Sequence, residues 1–154
     1  MLNRDYIGHE LPPLEVDVDR WRLRGFARAI GETNPLFIDE AAARAAGYRG
    51  LLAPPTFLFG LSYDMEDQTA HLREMGADPK EILHGEQSFR YHEPVCAGDR
   101  LTIRSKIVDI YAKKGGALEF VVRESGVFDD RGRKVAELRE TLVLRHAPPV
   151  GTAP

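Results

Sequence analysis

The chain has 154 residues, room for one domain and little more. Its 21 Lys and Arg against 24 Asp and Glu leave a net charge of −3, so no basic excess steers it onto nucleic acid or anionic lipid. With 43% hydrophobic and 29% charged residues it has the balance of a chain that buries a core, which excludes disorder as its main state. A single cysteine, Cys96, excludes an intramolecular disulfide framework and a cysteine-cluster zinc site. The N-terminal stretch lacks the continuous apolar run of a signal peptide. The most apolar segment, residues 51–61, is interrupted by Pro54 and Pro55 and is far short of the roughly 20 residues that span a bilayer. The expectation is a soluble, cytoplasmic protein that binds neither nucleic acid nor membrane.

The first predicted helix starts at a cap supplied by Asp17 or Asp19. Leu23, Phe26, Ala27 and Ile30 then recur at helical spacing, opposite Arg20, Arg24 and Arg28. Gly31 ends it, and Asn34-Pro35 marks a turn, because proline disfavours the helical region for the residue before it. A short second helix follows, with Asp39 as its cap, Glu40 in its first turn and Gly47 just beyond it. The segment Thr56–Met65 is apolar nearly all round, the pattern of a helix enclosed by other structure, with Thr56 as its N-cap. A polar helix is predicted over Asp67–Met75, where Asp67 and His71 stand at i, i+4 as a surface pair.

Beyond residue 80 the pattern changes to period two, and four strands are predicted: 82–93, 101–111, 118–128 and 134–145. Short links at 94–99, 113–116 and 129–132 imply an antiparallel meander in which consecutive strands pair. The fold class is α+β: a curved sheet wrapped around the apolar helix at about 56–65. One such layer leaves a sheet edge open, which favours pairing with a second copy or a relative. The Pro-rich residues 147–154 are expected to form a flexible tail behind a domain of residues 1–146.

Two stretches carry a resemblance: Gly31-Glu-Thr-Asn-Pro-Leu-Phe-Ile-Asp39, and His84-Gly-Glu-Gln followed by Tyr91-His-Glu-Pro and Ala97-Gly-Asp99. In these the chain resembles the MaoC-like acyl dehydratases, a hot-dog family that includes R-specific enoyl-thioester hydratases. It is most similar to the branch of fatty-acid-synthase-type hydroxyacyl dehydratase subunits. The family's loop reads Gly-Asp-x-Asn-Pro-(Leu/Ile)-His, and its Asp and His share the proton transfers that add or remove water at a thioester-conjugated double bond. Position by position, the Asp becomes Glu32, the Asn is Asn34, the Pro is Pro35 and the His becomes Phe37. Glu32 keeps a carboxylate one methylene further out, whereas a phenyl ring cannot exchange a proton.

The resemblance implies catalytic roles for Glu32 as base and Asn34 in positioning water. His84 is the remaining candidate for the missing proton transfer, since His84 and Glu86 stand two apart on one strand face. The same residues also suit plainer uses: Glu32 as a solvated helix end, Asn34 as turn chemistry, His84 as polarity at a strand start. An enolate oxygen needs backbone donors at a helix head, and after Pro54 and Pro55 these would be the N–H groups of Thr56 and Phe57, which equally serve simple capping. The acyl chain would run beside Phe37, Phe57, Phe59 and Leu61.

Three functional readings follow. The first is a hydratase/dehydratase unit interconverting trans-2-enoyl and (R)-3-hydroxyacyl thioesters, with no cofactor beyond the pantetheine of CoA or acyl carrier protein. The second, which Phe37 favours, is a non-catalytic subunit that binds the acyl chain and completes the channel of an Asp/His-bearing relative; homodimer and heterodimer with a related hot-dog subunit both stay open. The third is a thioesterase using Asp64 or Glu66 near the end of the apolar helix.

Overall fold

Asp19 rather than Asp17 caps the first helix, α1 (Arg20–Ala29), its carboxylate accepting from the Trp21 and Arg22 N–H groups at 2.8 and 3.0 Å. These donors have no helical carbonyl to reach, and such a cap stabilises by about 1 kcal/mol. Leu23 and Ala27 are buried as the stripe predicts. Gly31 stops the helix with φ 68°, while the Gly31 N–H donates to the Arg28 carbonyl and the Glu32 N–H to that of Ala27. This pair of bonds needs the left-handed φ that glycine adopts without strain. The predicted second helix divides into a single turn, α2 (Pro35–Ile38), capped by Asn34, and α3 (Glu40–Ala45), capped by Asp39.

The computed structural model describes residues 1–146, so the expected tail at 147–154 lies outside the described residues. The central apolar segment is shorter as a helix than its pattern suggests: one turn, α4 (Phe57–Gly60), continues as a 3₁₀ turn over Leu61–Asp64. The Ser62 hydroxyl donates to the Phe59 carbonyl at 2.9 Å, a local bond that competes with helical pairing. Leu58 and Leu61 are fully buried, but Tyr63 is 62% exposed, so this element is enclosed on one side only. Thr56 takes the N-cap position without a side-chain bond, contrary to the expected cap.

The polar helix contracts to α5 (Ala70–Glu74), and the expected Asp67–His71 surface pair does not form. Asp67 instead pairs with Arg73, which holds its carboxyl down to about 2, while His71 packs inward at 7% exposure. Burial, reinforced by the nearby Arg123 cation, lowers the His71 pKa to about 4. The folded state therefore refuses a proton that the unfolded chain accepts below its ordinary 6.5. We expect stability to fall as pH drops from about 6.5 to 4, by about 2–3 kcal/mol from this group, and His71→Leu to flatten that slope in urea titrations.

The sheet has five strands, not four: β1 (Leu14–Asp17), β2 (Ile82–Tyr91), β3 (Arg100–Lys113), β4 (Leu118–Phe128) and β5 (Lys134–Arg145), in the order β1-β3-β4-β5-β2. The meander holds only for β3, β4 and β5. The strand predicted first pairs with the last one, along the register Ile82↔Leu144 to Tyr91↔Ala136. The reason lies in the crossover behind β2. Residues 95–99 spend their hydrogen bonds on residues 51–53 and on Val18: Ala53 N–H donates to the Val95 carbonyl, Ala97 N–H to Leu51, and Val18 N–H to Asp99. Arg49 clamps the same turn, bidentate on Asp99 at 2.5 and 3.0 Å. The Ala97-Gly-Asp99 motif is thus a structural clasp. Cys96 is buried within it, and burial raises its thiol pKa, which leaves it unreactive.

Two apolar clusters fill the concave face. One joins α1, α4 and the sheet through Leu23, Leu58, Leu61, Ile103, Val127 and Leu138. The other gathers Leu72 of α5 and its C-cap Met75 with Leu2, Ile107, Val121, Leu142 and Leu144. Between them runs a polar row, with Arg123, Glu140 and Gln87 adjacent across β4, β5 and β2. Among the described residues, no helix is long and apolar enough to cross a membrane.

Candidate active site

The Gly31–Asp39 loop is held by its own side chains. Glu32 Oε1 accepts from the Thr33 and Asn34 N–H groups, both at 2.9 Å, and Asn34 Oδ1 accepts from the Leu36 N–H at 3.1 Å. One carboxylate oxygen of Glu32 is therefore committed to stabilising the turn, and Asn34 is committed to capping α2. Phe37, by contrast, leaves the loop and lines a groove of about 310 Å³ together with Tyr48, Leu52, Ala53, Pro55, Tyr91 and His92. Neither Glu32 nor Asn34 lines it.

The groove ends at the head of α4. The Phe57 N–H donates to the Pro54 carbonyl at 2.9 Å, so the expectation that it is a free donor is corrected. Proline lacks an N–H, and the next donor at this helix head, the Thr56 N–H, finds no acceptor among the described residues. Phe57 itself is buried, its ring edge-on to Phe26 with centroids 5.5 Å apart. The Tyr91 hydroxyl donates to the Pro55 carbonyl and ties β2 to the helix head. Burial pushes the Tyr91 phenol up to about 12, so it remains a donor across the physiological range.

His84 is elsewhere. A register shift between His84 and Glu86 puts a bulge at Gly85, where an added Cβ would lie 2.7 Å from a Val143 methyl carbon and 3.0 Å from the Thr141 carbonyl oxygen. The bulge breaks the period-two alternation. His84 then opposes inward Leu142 while Glu86 opposes Thr141, on the other face, and the expected His84–Glu86 pair is lost. The imidazole meets a different carboxylate, with Nε2 3.6 Å from Glu140 Oε1 and the ring 5.0 Å from that of Phe59. Glu140 in turn pairs with Arg123 at 2.5 Å. Asp64, the thioesterase candidate, is ion-paired with Arg22 at 2.5 Å and belongs to the surface, and Glu66 is exposed.

Phe37 and Pro55, just ahead of α4, line one groove, which the side chains of Glu32, Asn34, His84 and Phe59 do not line, although Asn34 caps the turn that carries Phe37 and its carbonyl accepts the Phe37 N–H at 3.1 Å. The groove adds Tyr91 and His92, which the sequence reading quoted in a motif without a role. His92 follows β2 directly, with its Nε2 3.7 Å from Glu137. A mostly apolar groove that reaches Pro55, one residue ahead of the Thr56 N–H, is suited to hold an alkyl substituent.

Known proteins are similar to this chain in sequence and fold. The family model described as FAS1-like, dehydratase domain region matches residues 5–138. A UPF0336 protein of Thermobifida fusca is 40% identical over 153 residues, covering 98% of this chain and 99% of its own. A UPF0336 protein of Streptomyces avermitilis is 37% identical over 147 residues, covering 95% and 97%. Among solved structures, a chain of the C-terminally truncated HadBC (3R-hydroxyacyl-ACP dehydratase) complex from Mycobacterium tuberculosis is 32% identical, with a TM-score of 0.77 over 92% of this chain and 99% of that one. A MaoC-like dehydratase is 28% identical with a TM-score of 0.80 over 92% of this chain but 43% of its own. With its five-stranded sheet wrapped around a short apolar turn and a match along most of its length, the chain belongs to the FAS1-like dehydratase-region family of hot-dog proteins.

Proposed function

We propose that this chain is the acyl-binding subunit of a two-subunit 3-hydroxyacyl-thioester dehydratase, and that a related hot-dog subunit with an intact Asp/His loop supplies the proton transfers. The observation that carries the reading is Phe37. It lines the groove at the loop position where the family resemblance calls for an imidazole, and a phenyl ring neither gives nor takes a proton. The 32% identical chain belongs to a complex named as a 3R-hydroxyacyl-ACP dehydratase, which supports both the reaction class and the paired arrangement. The 28% identical dehydratase is more than twice the length this chain matches, leaving room for a second unit in the same polypeptide.

The sheet edge supports a partner as well. β2 is an edge strand with its outer ladder unpaired, and its Leu83 is 52% exposed. In the assembled enzyme the groove holds the acyl thioester and the Thr56 N–H donates to its carbonyl oxygen as enolate charge develops.

The test is hydration of crotonyl-CoA by the purified chain alone and after mixing with an Asp/His-bearing hot-dog relative from the same organism. The chain alone is expected to stay at background, and the mixture to exceed it by about 10²–10⁴, the usual worth of positioned acid–base groups. Turnover by the chain alone that collapses in Glu32→Gln would overturn the proposal in favour of a self-sufficient enzyme.

A further inference from the structure

We infer that the charged basin between the Ala97-Gly-Asp99 turn and the β4–β5 hairpin binds the phosphate of a phosphopantetheine arm, through Arg49, Arg131 and Arg133. The inference rests on the function proposed above, and concerns the part of an acyl thioester that lies outside the groove.

The basin has a volume of about 550 Å³ and adjoins the groove, since Tyr48, Glu93 and Pro94 line both. Beyond this shared rim the lining becomes charged, with Arg49 and Arg100 beside the turn and Arg131 and Arg133 on the hairpin. Glu93, Asp99, Asp129 and Asp130 line it as well, so the formal charge balances. What the basin presents is therefore decided by which of these groups reach its surface.

Two of the acids are engaged inward. Asp99 is 12% exposed and holds the turn, accepting the Cys96 N–H at 2.9 Å as well as the Arg49 guanidinium. Asp129 is 13% exposed and knots the hairpin, accepting the Arg131 and Arg133 backbone N–H groups at 3.0 and 2.8 Å. Their arginine partners lie outward, the Arg49 and Arg133 side chains being 67% and 59% exposed. Arg133 places Nε and Nη2 on Asp129, and its Nη1 has no partner among the described residues. The exposed Arg131 side chain makes no ion pair among the described residues.

Each enclosed carboxylate thus fixes a guanidinium at the surface with donors left over, and Arg131 adds a charge without a counter-ion. Planar guanidinium forks suit a phosphate, which accepts parallel N–H bonds from them. Arg100 has only long contacts, 3.4 Å to Glu15 and 3.8 Å to Asp17, exposed pairs that contribute little and exchange readily. Four exposed guanidiniums face two exposed acids, Glu93 and Asp130, which leaves the surface of the basin cationic. Glu93 stands at the shared rim, where the uncharged amides of a pantetheine arm would pass and a carboxylate accepts from their N–H groups.

Calorimetric titration of the full chain with the octanoyl thioesters of pantetheine, phosphopantetheine, CoA and acyl carrier protein tests this. Octanoyl-phosphopantetheine is expected to bind at least about tenfold tighter than octanoyl-pantetheine, from charge-assisted bonds to one phosphate. Arg131→Glu is expected to abolish that advantage and to leave octanoyl-pantetheine unchanged, because this exposed side chain holds no part of the fold. Further tightening with the CoA thioester assigns the arm to CoA, and with the carrier-protein thioester to a protein-borne arm; the phosphate site stands in both cases. Equal affinity for the pantetheine and phosphopantetheine thioesters overturns the site and leaves the proposed function standing. A phosphate advantage that survives Arg131→Glu places the phosphate elsewhere and also overturns it. Failure of all four thioesters to bind removes the acyl site from this chain, and the proposed function and the phosphate site fall together.

Discussion

A chain carrying Glu32→Asp and Phe37→His is expected to hydrate crotonyl-CoA on its own, at a rate about 10²–10⁴ above the wild-type chain alone. The argument is one of subtraction. The groove is formed, the α2 turn places residue 37 in its wall, and the Thr56 N–H, next to the groove-lining Pro55, has no acceptor among the described residues. What is missing is a group that exchanges protons near neutral pH, and an imidazole at position 37 restores it. Shortening Glu32 withdraws its carboxylate by one methylene, to the reach the family loop uses. The Asn34 cap on Leu36 is untouched, so the turn keeps its anchor. The measurement is the decay of enoyl-thioester absorbance, with the pH profile as control: activity should rise through the titration of the new imidazole. A folded double variant that stays at background would show that the groove does not hold a thioester productively, and the acyl-binding assignment would fail.

Truncating Glu140 alone should be among the most damaging single changes in the interior, at about 3–5 kcal/mol. Arg123, with only 14% of its side chain exposed, would be left without its partner, and the energy lost is the cost of an unpaired, largely enclosed cation rather than the worth of the pair. Removing both charges together, as Arg123→Met/Glu140→Leu, should restore most of that loss or exceed wild type. The comparison separates two effects that a single substitution confounds. Chemical denaturation of wild type, Glu140→Ala and the double variant checks it, with the midpoint lowered in the single and recovered in the double. Equal losses in both variants would mean that the pair itself holds β4 to β5.

A second charged contact acts in a different pH window, above the one in which His71 destabilises. His146 bridges Glu81 and Glu119 at 2.8 and 2.7 Å, and these carboxylates raise its pKa above the ordinary 6.5. A raised imidazole stabilises the fold fully below its unfolded pKa and loses that contribution as pH climbs through the folded value. Glu119 also accepts the Leu2 N–H, so this contact joins the start of the chain to the end of β5.

Much of the architecture follows from local chemistry, and so was readable from residues alone. The Asp19 and Asp39 caps, the glycine stop at Gly31, and the period-two runs of β4 and β5 each depend on neighbours a few residues away. The family loop was legible for the same reason, because its residues bond to each other. β1 was not legible: four residues pairing with Leu101–Ile103 and Arg100 acquire strand character only from a partner distant in sequence.

The limits of that reading lie where partners are remote. Residues alone determined the fold class, the loop chemistry and the loss of the imidazole at Phe37. Only the tertiary structure decided that β2 pairs with β5, since strand order depends on where the 95–99 crossover spends its hydrogen bonds. It alone decided that His84 faces Glu140 and not Glu86, because one bulged residue at Gly85 reverses every face behind it. And it alone brought Arg123, Glu140 and Gln87, separate in the chain, into one buried row, because strand register and not sequence distance determines which side chains meet across a sheet.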